Sequence, residues 1–184
     1  MKLFMTIPNQ LTLLRILLIP VFIVVFYLPY ESSNFFACGI FILAAVTDIL
    51  DGYYARKLNQ ISQLGVFLDP VADKLMVAVV LVLLVQRNPE IYLAIPAAII
   101  IGREITVSAL REWMAELGKR ANIAVSYVGK VKTAAQMGSI TVLMGGEHFP
   151  WVIDLGFIAL YLAAVLTIWS MLVYLKAAWP ELRA

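Results

Sequence analysis

The chain has 184 residues, 62% of them hydrophobic and 14% charged, with a mean hydropathy of +0.90. These values exclude an ordinary water-soluble domain and point to an integral membrane protein. The net charge of +2 decides little, and no nucleic-acid partner is expected. The single cysteine, Cys38, lies in an apolar run, allows no internal disulfide and is read as packing. The single histidine, His148, removes histidine-rich metal sites and argues against a Ser-His-Asp triad.

The N-terminal residues lack a strongly basic start, and no small-residue cleavage site follows the first apolar run, so that run is expected to be a retained span. Six apolar segments follow one another, at about 11–30, 35–55, 67–86, 91–116, 126–145 and 151–176. Each is long enough to cross a hydrocarbon core about 30 Å thick. The expected fold is all-α, a polytopic membrane protein with six transmembrane helices, in which residues 1–184 form a single catalytic domain.

On the first helix Asn9, Thr12 and Arg15 recur every three residues, a polar stripe that reads either as a ligand contact or as a cap followed by a snorkelling arginine. Asp48 closes the second segment. In Leu68-Asp69-Pro70 the aspartate suits an N-cap and the proline a first turn, so the third helix is expected to start there, and Asn88-Pro89 punctuates its far end. Arg103 lies deep in the fourth segment, after Ile99-Ile100-Ile101-Gly102, and Lys132 opens the fifth. Only the sixth holds a charge-free run of more than 20 residues, Leu155 to Leu175.

With a cytoplasmic N-terminus and alternating spans, the charges within the segments fall toward one side. Lys2, Arg56, Lys57, Lys119, Arg120, Lys130, Lys176 and Arg183 then lie on the cytoplasmic side, and Arg87 alone among the lysines and arginines lies in an outer loop. That is the positive-inside pattern, with both termini cytoplasmic. Trp113, Trp151, Trp169 and Trp179 read as interface anchors or packing.

The stretch from Asp48 to Asp73 sets four carboxylates between two apolar segments. Ionisable groups at membrane depth are costly and mark function. Asp48 and Asp51 are three apart, and Asp69 and Asp73 four apart, so each pair projects from one helical face. Packed together, the four need cations, and all-oxygen ligation suits Mg²⁺, Mn²⁺ or Ca²⁺ rather than zinc. One or two divalent ions are therefore expected, with an ordinary N-cap as the lesser alternative for Asp69 taken alone. The EF-hand pattern is absent, since the alternating ligand spacing and the closing glutamate are missing. Gly52, inside a helical pattern, suggests close approach by a ligand or another backbone, and Gly65 permits the same. Arg56, one turn beyond Gly52, is either a partner for phosphate or a positive-inside anchor. Metal, glycine and arginine at this spacing describe a diphosphate site.

The pattern Asp48-x2-Asp51-Gly52-x2-Ala55-Arg56-x8-Gly65-x3-Asp69-x3-Asp73 resembles, at every fixed position, the signature of the CDP-alcohol phosphatidyltransferases. The resemblance implies six transmembrane helices, often in homodimers, and a metal site open to the cytoplasm and inner leaflet. It implies transfer of a phosphatidyl group from a CDP-linked lipid to an alcohol, with release of CMP. Carried over by position, it makes Asp48, Asp51 and Asp69 ligands of Mg²⁺ or Mn²⁺, and Asp73 a further ligand or the base that takes the acceptor's proton. Asp73 is expected to be that base. Gly52, Ala55, Arg56 and Gly65, joined by Asn9 and Thr12 of the first helix, would line the CDP part.

The segments 7–15, 103–119 and 129–137 extend the resemblance to bacterial members of the family that use sn-glycerol 3-phosphate, placed in the inner membrane with CDP-diacylglycerol as donor. An acceptor bearing its own phosphate needs further cations, and Arg103, Arg111, Lys130 and Lys132 supply them. Arg103 and Arg111 lie about 80° apart around an ideal helix, so both can face one cavity. The competing expectations are another acceptor, inositol phosphate or serine, and, from a different class, a divalent-cation transporter.

Overall fold

The computed structural model describes residues 6–58, 62–118, 127–146 and 149–182, without the side chains at 66, 127–130, 181 and 182. Among the described residues six helices follow in order: α1 (Ile7–Phe26), α2 (Ser33–Lys57), α3 (Gln63–Arg87), α4 (Ile91–Glu116), α5 (Tyr127–Gly145) and α6 (Pro150–Leu182). No strand occurs among the described residues.

Local chemistry sets most of the ends. Pro8 sits in the first turn of α1, where its missing N–H costs nothing. Asn88-Pro89 separates α3 from α4 as expected, and α4 stops at Gly118, whose φ of +68° gives the left-handed turn glycine adopts most readily. The start of α3 differs from the expectation. It begins at Gln63, six residues before Asp69, and Pro70 lies inside the helix. Ser62 is the reason: its Oγ accepts the backbone N–H of Gly65 at 2.9 Å, the bond an N-cap serine makes to the third helical residue. A proline within an apolar helix is tolerated where packing re-satisfies the freed carbonyl, and α1, α4 and α6 contain prolines too.

Among the described residues four helices, α1, α2, α4 and α6, are long and apolar enough to cross a membrane. Burial is inverted relative to a soluble protein: Phe35 is 74% and Ile49 70% exposed, whereas Asn9, Thr12, Arg15, Asp51, Lys132, Gln136 and Ser139 are buried. An apolar exterior around polar interior positions fits lipid as the surrounding solvent and marks a membrane protein. In α3, Asp69, Asp73 and Lys74 fall in the first half, and α5 carries Lys130 and Lys132; these charges dilute the apolar character of both helices.

The chain forms two compact units. The first comprises Met1–Leu81 with Met144–His148, and the second Val82–Leu143 with Phe149–Ala184. In the first, α1 packs against α2, and Cys38 is buried with its Sγ 3.2 Å from where a Cβ on Gly145 would stand, in agreement with a packing role. In the second, α4 packs against α6, and Gly156 lets α6 approach α5 so closely that a Cβ there would meet Val142 Cγ1 at 2.9 Å. Small residues at such contacts are how apolar helices associate without a hydrophobic driving force.

Candidate active site

The first unit gathers side chains from α1, α2 and the first turns of α3. Because α1 begins at Ile7, Asn9, Thr12 and Arg15 all lie within it, one turn apart on one face, and all three are buried. Arg15, only 1% exposed, does not snorkel. Its guanidinium joins both aspartate pairs: Nη1 lies 2.9 Å from Asp48 Oδ1 and donates to Asp73 Oδ1, and Nη2 donates to Asp51 Oδ2. Arg15 Nε, also buried, has no partner. Of the three aspartates Asp51 is nearly inaccessible, whereas the Asp73 side chain remains 45% exposed.

Asp69 enters through α1 as well. The Thr12 hydroxyl lies 2.6 Å from Asp69 Oδ1, 3.1 Å from the Pro8 carbonyl and 3.5 Å from Asp51 Oδ2. It has one proton, and the shortest contact, to Asp69, receives it. The i, i+3 and i, i+4 spacings thus place all four carboxylates about one centre, and the stripe on α1 supplies the groups that hold them there.

Asn9 has a structural partner in the same region. Ser62 Oγ donates to Asn9 Oδ1 at 2.7 Å, and a Cβ on Gly65 would stand 2.9 Å from that same oxygen. Gly65 therefore answers to the close approach of the Asn9 side chain. At Gly52 the nearest atom to such a Cβ is Arg56 Nη1 at 3.6 Å, an ordinary contact, so the protein itself leaves room for an alanine there. Ala55 is half-buried and Arg56 exposed, on the outer turns of the same helix.

Oxygen ligands from four carboxylates suit Mg²⁺ or Mn²⁺, and three of them already converge on one cationic group. Among the described residues, however, no three acidic, histidine or cysteine side chains are gathered as a ready metal site. The chemistry of the donor set fits such an ion, and three of its carboxylates face the Arg15 guanidinium.

The second unit holds a separate cationic group. Lys132, buried, donates to Glu104 Oε1 at 2.6 Å, and Arg103 donates through Nη1 to the same oxygen at 3.1 Å and through Nη2 to Ser170 Oγ at 3.0 Å. Arg103 Nε is buried without a partner. Arg111 donates to the Tyr174 hydroxyl, and the ring centroid of Tyr174 lies 4.8 Å from the Arg111 guanidinium carbon and 5.9 Å from that of Arg103. The two arginines on α4 thus meet one tyrosine of α6. Lys130 lies in α5 with its side chain outside the described residues, as are Lys2, Lys119, Arg120, His148 and Arg183 entirely.

Three participants escaped sequence reasoning. Glu104 sits beside Arg103 in an apolar run, and its charge there was a usable signal. Ser62 carried the signal of a helix cap. Tyr174 is 63 residues from Arg111 and gives no local sign of their meeting.

Four aspartates, one of them buried, brought to α1 in an all-helical membrane protein agree with a family of enzymes. Residues 5–169 match the family model for CDP-alcohol phosphatidyltransferase, and the chain belongs to that family. The match includes every aspartate of the centre. Among similar curated proteins, one from Pseudomonas fluorescens is 56% identical over 97% of this chain and 93% of its own length. One from Escherichia coli (strain K12) is 53% identical over 96% of each chain, and one from Yersinia pestis (strain Pestoides F) 51% identical over 97% of each. All three bear the name CDP-diacylglycerol–glycerol-3-phosphate 3-phosphatidyltransferase.

Proposed function

We propose that this chain transfers a phosphatidyl group from CDP-diacylglycerol to sn-glycerol 3-phosphate, giving phosphatidylglycerophosphate and CMP. The observation that carries the reading is the convergence of Asp48, Asp51 and Asp73 on a single buried cationic position, with Asp69 joined to it through Thr12, in a chain of this family. The names of the relatives supply donor and acceptor.

Asp48, Asp51 and Asp69, with Asp73 as a further ligand, would hold one or two Mg²⁺ or Mn²⁺ ions. When bound, such ions polarise the diphosphate and neutralise charge on the leaving phosphate. The acceptor's hydroxyl oxygen forms a new bond to the phosphorus that carries diacylglycerol, and the bond from that phosphorus to the CMP oxygen breaks. Asp73 receives the hydroxyl proton; its greater exposure, compared with Asp51, supports that role. No covalent enzyme intermediate is needed. Asn9, Thr12, Gly52, Ala55, Arg56 and Gly65 would line the CDP part, with room at Gly52 for a close ligand. Arg103, Arg111, Lys130 and Lys132, the cations of α4 and α5, would bind the acceptor's phosphate.

We place the protein in the bacterial inner membrane as a homodimer of single catalytic domains, with six spans per chain, both termini cytoplasmic and the site toward the cytoplasm. The positive-inside pattern and the family resemblance support this. The test is CMP release by the purified protein given CDP-diacylglycerol, Mn²⁺ and each acceptor in turn. Release with glycerol 3-phosphate, and at most about 1% of that rate with serine, is expected, because a site built for a phosphate-bearing alcohol rejects an analogue that leaves its polar groups unpaired; a rate with inositol phosphate above that with glycerol 3-phosphate contradicts the choice of acceptor. Release with serine alone contradicts the assignment, and metal uptake into proteoliposomes without CMP release favours a transporter.

A further inference from the structure

Arg15 is the most deeply buried charge in the first unit, and its position is unusual for a residue that only anchors a helix. It stands among oxygens from two other helices, Asp48 Oδ1 and Asp51 Oδ2 of α2 and Asp73 Oδ1 of α3, the atoms that a divalent ion in this site would need. Arg15 and a divalent ion would therefore compete for one set of oxygens. Arg15 Nε is buried without a partner, so the group is held through its two outer nitrogens and by charge alone. A guanidinium donates from a planar fork, whereas Mg²⁺ demands oxygen ligands at about 2.0–2.1 Å in near-octahedral geometry, so one arrangement does not serve both. Two cations at one centre also repel each other strongly where water is scarce.

We propose that Arg15 is the resident counter-cation of the metal-free site. Its guanidinium holds Asp48, Asp51 and Asp73 together across α1, α2 and α3, and it gives up their oxygens as a divalent ion binds. The four carboxylates then never face one another uncompensated, and the affinity for metal is the outcome of a competition with Arg15. The inference rests on the metal reading of the aspartates. It differs from simple structural support in sign, because a competitor weakens metal binding and a support strengthens it.

The experiment is titration of chelator-stripped protein with Mn²⁺, with free Mn²⁺ read by electron paramagnetic resonance. Arg15→Met, which keeps length and loses charge, is expected to bind Mn²⁺ at least about tenfold more tightly than the native protein, and Arg15→Lys to stay within about threefold of it. Equal or weaker binding by Arg15→Met overturns the proposal. A second measurement on the native protein covers a variant that does not fold: modification of Arg15 by phenylglyoxal, followed by mass spectrometry of its peptide. Arg15 is expected to react at least about threefold faster with saturating Mn²⁺ than in chelator, since a ligand shifts a population only toward the state it binds better. An unchanged or slower reaction, with Mn²⁺ shown to be bound, overturns the exchange while leaving the metal site intact. Failure of the native protein to bind Mn²⁺ at all overturns the metal reading and this inference with it.

Discussion

Asp51→Asn is expected to lower CMP release by about 10³-fold or more, equivalent to about 4 kcal/mol on the barrier, while the purified protein stays folded. Asp51 is the most buried carboxylate of the centre, 4% exposed, and it contacts both elements of α1 that organise the site, donated to by Arg15 and 3.5 Å from the Thr12 hydroxyl. Asparagine keeps the shape and one acceptor oxygen but removes the charge, so the ligand is lost with little change in packing. Removing one member of a buried ion pair ordinarily costs about 3–5 kcal/mol, because a charge is left uncompensated. Here Arg15 retains Asp48 and Asp73, which spares the fold most of that cost. Initial rates set beside thermal unfolding of the same preparation check both halves. Retention of more than about a tenth of the native rate in a folded variant is incompatible with a metal ligand at this position.

Arg103→Ala is expected to raise the concentration of glycerol 3-phosphate needed for half-maximal rate by about 10- to 100-fold and to leave the dependence on CDP-diacylglycerol nearly unchanged. Hydrogen bonds to charged groups contribute about 1.5–3 kcal/mol, and each 1.4 kcal/mol is about tenfold in affinity. Lys132 and Arg111 remain, so the acceptor is weakened rather than lost. The alanine variant also frees Glu104 from one of its two cations, leaving Lys132 at 2.6 Å to satisfy it. Arg103→Lys serves as comparison. It keeps the charge and loses the planar fork that reaches Glu104 and Ser170 together, and an intermediate effect is expected. Rates measured over a range of acceptor at saturating CDP-lipid, and the reverse, separate the two substrates; an equal rise for both would mark a general disturbance of the second unit.

Much of the site was legible in the sequence because its geometry is local. Aspartates three and four residues apart must share a helical face, and the three-residue recurrence of Asn9, Thr12 and Arg15 made one stripe before any packing was known. The break between α3 and α4 followed from Asn88-Pro89, whereas the end of α4 at Glu116, with Gly118 beyond it, was not read from the sequence. The start of α3 was misplaced because two sets of N-terminal signals compete there. Asp69-Pro70 offers a cap and a first-turn proline, yet Ser62 caps an earlier turn, and a proline inside an apolar helix is affordable. The choice for Arg15 between snorkelling and contact could not be made locally, since it depends on α2 and α3 arriving at the same depth with their carboxylates inward. The meeting of Arg103 and Arg111 with Tyr174 is of the same kind, set by how α4 packs on α6.

The central claim is that the aspartate centre, loaded with a divalent ion, moves a phosphatidyl group onto glycerol 3-phosphate. Its most direct test is parallel quantification of CMP and lipid product by metal-stripped protein given CDP-diacylglycerol and isotopically labelled glycerol 3-phosphate, before and after Mn²⁺ is restored. The expected result is no turnover in chelator, then CMP and labelled phosphatidylglycerophosphate in equal amounts. CMP release at the same rate in chelator, or CMP formed without labelled lipid, would contradict it.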